Sequence, residues 1–184
     1  MNLEKRLPDL YFQSLYVSKE YSSCPLIPDI INFITKVENV DGLTISHRFG
    51  KRVLINSKDI NFNKIGKENF LEIVDYEPFK KILLFMGMEE PCIDSPLHWY
   101  IHHAREDINA VLLIKDKKYS EKKINNFSII DNKYPIWSIE QIKEVLGALR
   151  NSKIVIIKNV GVLFIGNSLK EIRELISKSY GELK

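Results

Sequence analysis

The chain is poor in the features that usually point straight to a function. Only 2 of its 184 residues are cysteine, and Cys24 and Cys92 stand far apart and outside any C-x-x-C spacing. No disulfide framework or cysteine metal cluster can be read from them, and a reducing cytoplasm is the expected location. No apolar run is long enough to cross a bilayer, and the opening Met1-Asn2-Leu3-Glu4-Lys5-Arg6 is not followed by a signal-peptide core, so no membrane association is expected. Proline and glycine number 7 and 8 and do not gather into a linker, and no internal repeat divides the chain. The formal net charge of +3 is weaker than a nucleic-acid surface usually carries, so no nucleic-acid partner is expected. The densest basic stretch, Lys115-Asp116-Lys117-Lys118-Tyr119-Ser120-Glu121-Lys122-Lys123, contains two acids and a single aromatic and reads as a solvated loop.

What is present is a soluble pattern of 45% hydrophobic and 28% charged residues, enough for one domain with a full core. Pro28-Asp29 opens a helix with Ile30, Ile31, Ile34 and Val37 at helical spacing. From Gly42 the period changes to that of strands. Thr44 to Phe49 alternates, Gly50-Lys51 turns, and Val53 to Ile55 returns, with further strands at Phe70–Val74 and Ile82–Met86. Ser95 is the expected N-cap of a middle helix with Pro96 at its first position. Leu97, Tyr100, Ile101 and Ala104 form one face of that helix, and His98, His102 and Arg105 lie on another. Ser138 with Gln141 and Ser168 with Glu171 mark two capping boxes near the end of the chain. Hairpins mixed with helices predict an α/β (α+β) fold: a three-layer α/β/α domain around a mixed, mostly antiparallel central sheet.

Several blocks resemble class II aldolases and the related adducin head domain. Leu43-Thr44-Ile45-Ser46 stands where the family has glycine-asparagine-isoleucine-serine, and Leu54-Ile55-Asn56-Ser57-Lys58-Asp59 echoes its Leu-Ile-Thr-Pro-Ser-Gly. Cys92-Ile93-Asp94 with His98 replaces Ser-Ser-Glu and a following histidine, and Arg105 with Asp107-Ile108-Asn109-Ala110-Val111 matches Arg-Pro-Asp-x-x-Ala-Val. Lys158-Asn159-Val160-Gly161-Val162-Leu163 and Gly166-Asn167-Ser168-Leu169 complete the resemblance. It runs from about Ile27 to the end, so residues 1–26 are expected to form an N-terminal extension to a domain at 27–184. Leu10, Tyr11, Phe12, Leu15, Tyr16 and Val17 in that extension could pack on a neighbouring subunit or on the chain's own sheet.

The resemblance implies a divalent metal held by three histidines, but the corresponding residues are Leu113, Lys115 and Val160. Two of these have no lone pair to donate and the third is a cation, so no metal and no other cofactor is expected. The phosphate-binding residues that the family supplies are largely replaced as well, leaving Ser46, Ser57 and His98 as candidate binding residues. Asp94 stands at the family's acid/base glutamate, and Lys115 could supply the positive charge that the metal supplies elsewhere. One reading is therefore a metal-independent aldolase or lyase using Asp94 and Lys115. The other is an ion pair filling a silent cleft in a homo-oligomeric binding or assembly protein of unknown ligand, and the adducin head is a precedent for this fold without enzyme activity. The i, i+4, i+8 spacing of Asp94, His98 and His102 also raises a replacement metal site, weighed against a structural role. Cys92 has no motif that supplies a base beside it.

Overall fold

Alternating apolar runs dominate the chain, and a strand places successive side chains on opposite faces, so such runs are satisfied by a sheet covered on both sides. The computed structural model, which describes residues 12–37, 42–58, 60–61, 64–115 and 127–183, has that architecture. In chain order the elements are β1 (Gln13–Ser18), α1 (Ile27–Ile34), β2 (Leu43–Phe49), β3 (Arg52–Asn56), β4 (Phe70–Glu77), β5 (Ile82–Met86), α2 (Ser95–Ala104), β6 (Ala110–Ile114), β7 (Ser128–Ile130), α3 (Ile139–Ala148), β8 (Ile154–Ile157), β9 (Gly161–Gly166) and α4 (Leu169–Leu183). The strands form one sheet in the order β1-β5-β4-β3-β2-β6-β9-β8-β7. Only the outermost pairs, β1 with β5 and β7 with β8, are parallel, and the other neighbours are antiparallel. The mixed, mostly antiparallel sheet expected from the hairpins is the one observed.

The alternation sorts the core into layers. Ala110, Leu112 and Ile114 of β6, Val162 and Phe164 of β9, and Ile154 and Ile156 of β8 meet α1 and α4. Their in-between neighbours, Val111, Leu113, Leu163, Ile165, Val155 and Ile157, meet α2 and α3 on the other face. A third cluster lies under β3, β4 and β5, where Ile55, Leu71, Leu83 and Phe85 pack with Phe12 and the partly buried Tyr100. The segment expected as an extension contributes directly to this sheet, because β1 lies along β5 with Leu15 opposite Leu84.

Local details refine the expected helix ends. The helix α2 begins at Ser95, so the N-cap position belongs to Asp94, whose side chain makes no capping bond. Ser138 and Ser168 do cap, accepting from the backbone N–H of Gln141 and Glu171. The returning half of each box reaches one residue further back than the sequence pattern implies. Gln141 Oε1 accepts from Trp137 N at 2.6 Å, and Glu171 Oε2 accepts from Asn167 N at 2.7 Å. Trp137 then packs in the same cluster as Ile142, which is the hydrophobic staple that often accompanies such a cap. The basic stretch after Lys115 lies outside the described residues.

One glycine is required by the fold. Gly161, at φ +156° at the start of β9, passes so close to β6 that an added Cβ would lie 2.0 Å from the carbonyl oxygen of Ile114. Gly161→Ala is expected to destabilise the protein by roughly 3 kcal/mol or more, since the clash is with backbone and cannot be relieved by a rotamer change. Urea unfolding followed by far-UV circular dichroism measures this, and a loss below about 1 kcal/mol would contradict the close approach.

Candidate functional site

The candidate residues meet where α2 crosses β2. Four residues of helix advance about 6 Å, and two residues of strand advance about 6.7 Å. A helix polar at i, i+4 and i+8 therefore matches a strand polar at i and i+2. On β2, Leu43 and Ile45 join the apolar cluster on the α1 side, which turns Thr44 and Ser46 toward α2. Both are buried, as are Asp94, His98 and His102. Arg48 continues the series beyond Ser46. Its guanidinium donates to the carbonyl oxygens of His102, Arg105 and Ile108, where the negative end of the α2 dipole attracts a cation.

Asp94 is the most densely bonded of these groups. Its Oδ2 accepts from the Thr44 hydroxyl at 2.5 Å and lies 2.6 Å from Lys115 Nζ. Its Oδ1 accepts from the Trp137 indole N–H at 2.9 Å. The Lys115 side chain is 39% exposed, against 1% for Asp94, so the pair spans the boundary between solvent and core. Trp137 holds its place in the left-handed region, φ +56°, a conformation that costs a non-glycine residue on the order of 1–3 kcal/mol and persists only where surrounding bonds enforce it. Here those bonds are the indole to Asp94 and the backbone N–H to Gln141. The sequence pointed to Asp94 and Lys115, which the structure brings together, and did not point to Trp137. The available signal was an aromatic residue placed just before the Ser138 cap.

Beside this node, the Ser46 hydroxyl lies between two imidazoles, 2.7 Å from His98 Nδ1 and 2.9 Å from His102 Nε2. The outer nitrogens, His98 Nε2 and His102 Nδ1, and the Ser57 hydroxyl are buried without a hydrogen-bond partner among the described residues. Burial pushes the His98 pKa down to about 4, with the Lys115 charge adding to that and Asp94 opposing it. Burial also holds His102 well below the ordinary histidine range. Cys92 is pushed up to about 11, first by burial and then by Asp94, so at neutral pH it is an inert thiol rather than a nucleophile. Ser46 and His98 are thus brought together. Ser57 lies at the end of β3, bridged to Pro91, and is not bonded to them.

With this geometry in hand, the fold can be compared with known structures. The chain superposes on an L-fuculose 1-phosphate aldolase with a TM-score of 0.66 over 89% of its own length and 88% of that chain, at 14% identity. It matches the N-terminal class II aldolase domain of a conserved protein from Thermoplasma acidophilum with a TM-score of 0.63, covering 90% of this chain and 97% of that one at 12% identity. An aldolase II superfamily protein from Pseudomonas syringae gives a TM-score of 0.61 at 18% identity, over 85% and 73% of the two chains. The fold is that of the class II aldolases. No family model matches the sequence, and no curated protein matches it.

The class II aldolase fold implies a divalent metal, and the residues here do not suit one. Leu113 is fully buried in the apolar cluster under α2 and α3, and Val160 packs against the same cluster. Neither has a lone pair, and the Lys115 ammonium is turned onto Asp94. The alternative set fares no better. Asp94, His98 and His102 do share one side of α2, but Asp94 points to Thr44, Trp137 and Lys115 while the histidines share Ser46. Among the described residues, no group of three or more histidine, cysteine, aspartate or glutamate side chains is arranged to hold a metal ion.

Two outcomes follow from this site. His98 binds a proton in the unfolded chain at its ordinary pKa near 6.5, but only near 4 in the folded one. As pH falls through that window the unfolded state takes up the proton first, so stability is present above about 6.5 and declines toward 4 by on the order of 3 kcal/mol. Urea midpoints measured from pH 7 to 4.5 should fall more steeply for the parent than for His98→Asn, and parallel slopes would contradict the burial. Trp137→Phe leaves Asp94 Oδ1 short of a donor and is expected to cost about 1–3 kcal/mol in the same assay.

Proposed function

We propose that the protein is a catalytically silent version of the class II aldolase fold, serving as a homo-oligomeric binding or assembly module in the cytoplasm. The observation that carries this reading is the engagement of Asp94. Both carboxylate oxygens are already held by Thr44, Trp137 and Lys115, so the group placed to act as acid or base is fixed in place by three groups of its own protein. Leu113 and Val160 extend the apolar packing into the positions from which a metal would be held. No helix among the described residues is long and apolar enough to cross a membrane. Two structural neighbours carry the names L-fuculose 1-phosphate aldolase and sugar-phosphate aldolase.

A second reading has one observation in its favour. Lys115 Nζ is partly open to solvent, so a small carbonyl compound could reach it, and a lysine can attack a carbonyl to form a Schiff base. That attack needs the neutral amine, whereas Lys115 Nζ lies 2.6 Å from a carboxylate oxygen, a neighbour that favours the charged form.

The two readings separate in one pair of measurements. Incubation with small aldehydes and ketones followed by borohydride is expected to leave the mass of the Lys115 peptide unchanged. A reduced adduct on Lys115 would establish the lyase reading instead. Lys115→Met is expected to lose roughly 1–2 kcal/mol of stability by stranding the Asp94 charge, a figure reduced from that of a fully buried pair by the exposure of the lysine. Unchanged stability in that variant would remove the structural role assigned to the pair.

A further inference from the structure

The outer edge of β1 is built in a way that single sheets rarely leave open. Gln13-Ser14-Leu15-Tyr16-Val17-Ser18 contains no charge and no proline. Charges, prolines, bulges and strong twists are the usual means by which proteins protect a sheet edge from pairing, and β1 carries only an irregularity between Tyr16 and Ser18, beyond its regular stretch Gln13 to Tyr16. The Gln13 N–H donates inward to the carbonyl of Lys81 at 2.7 Å, and by strand alternation the Leu15 amide also faces β5. The N–H and C=O groups of Ser14 and Tyr16 therefore face outward, where no strand among the described residues pairs with them. Leu15 and Val17 are 40% and 55% exposed, and the strip continues onto β5 through the partly buried Leu84 opposite Leu15. The other end of the sheet differs, since β7 has only three residues.

We propose that β1 pairs antiparallel with β1 of a second copy of this chain, about a two-fold axis at Leu15, joining two sheets into one. An axis perpendicular to the sheet keeps each face on its own side, so residues that oppose one another must share parity. With the axis at Leu15, Ser14 of each copy opposes Tyr16 of the other, and these residues exchange N–H to C=O bonds in both directions, which engages the outward groups. Leu15 then lies against itself, the irregularity between Tyr16 and Ser18 ends the regular register at Tyr16, and the nearest charge is Glu90, whose carboxylate is held by the Ser14 and Tyr16 hydroxyls. Growth into a filament would need a second edge of matching length, and the three-residue β7 does not supply one, so the assembly closes as a dimer. This inference rests on the assembly part of the function proposed above and names its partner and its surface.

The test uses the full chain. Light scattering is expected to give about 43 kDa, twice the 21.5 kDa of one chain, or a multiple of that dimer. Opposed non-hydrogen-bonded residues have Cα atoms about 4.5 Å apart, within the range of a disulfide. Leu15→Cys should therefore form an intermolecular disulfide under mild oxidation, and Val17→Cys, away from the two-fold axis and beyond the regular register of the strand, should not. Leu15→Lys, at an exposed position where folding is not at stake, should weaken self-association roughly tenfold or more with an unchanged circular dichroism spectrum. An oligomer that resists Leu15→Lys and shows no Leu15→Cys cross-link would overturn the β1 edge while leaving assembly through another surface standing. A parent protein monomeric at all concentrations would overturn both proposals. If the Tyr16 amide of such a monomer is protected from hydrogen exchange, the edge is covered by the chain's own residues.

Discussion

The register of α2 on β2 is the constraint on which the rest of the site depends. Thr44, Ser46 and Arg48 run beside Asp94, the two histidines and the carbonyl end of the helix, so the groups that meet across this interface are complementary, and only the outer ring nitrogens lack a partner among the described residues. A helix slid by one turn would set the Asp94 carboxylate beside Ser46, or the His98 ring beside Thr44, and leave the Arg48 guanidinium without its carbonyls. Apolar packing tolerates small displacements of that kind at modest cost, but buried polar pairing does not. The seam therefore specifies the helix position more narrowly than the leucines and isoleucines around it can.

That same constraint explains how a carboxylate is held at the centre of this fold. Here the Lys115 ammonium brings positive charge to the buried Asp94 carboxylate, and the Thr44 hydroxyl and the Trp137 indole fix its orientation. The strained backbone at Trp137 shows that the loop before α3 is drawn inward to complete the arrangement. Leu113 and Val160 then extend the apolar cluster between the sheet and the helices α2 and α3.

The fold was legible because its evidence is local and repeated. Strand alternation, the serine caps and the Gly161 hairpin each follow from short-range preferences, and β5 and its bounds could be read residue by residue from Ile82 to Met86. The site was legible only in part. Asp94 and Lys115 could be named from their positions in a resemblance, whereas the inward turn of Trp137 depends on a contact between residues 43 apart in the chain. The histidine spacing suggested a ligand set, and the same spacing serves equally well for two rings sharing one hydroxyl. Periodicity reports which residues face one way and is silent about which atoms converge. The role of β1 was obscure for a related reason, since pairing to β5 joins segments whose order in the sheet leaves no trace in either sequence.

The Ser46 hydroxyl has one hydrogen and two imidazole neighbours, so at least one ring must present an N–H to it. When the hydroxyl donates to His102 Nε2, His98 carries its hydrogen on Nδ1, and His102 must carry its own on Nδ1 as well. When the hydroxyl donates the other way, both rings carry theirs on Nε2. The rings thus change tautomer as a pair, and each change reverses the direction of the whole hydrogen-bonded line. A bare lone pair at one outer nitrogen becomes an N–H, the reverse happens at the other, and the net charge of the seam stays the same.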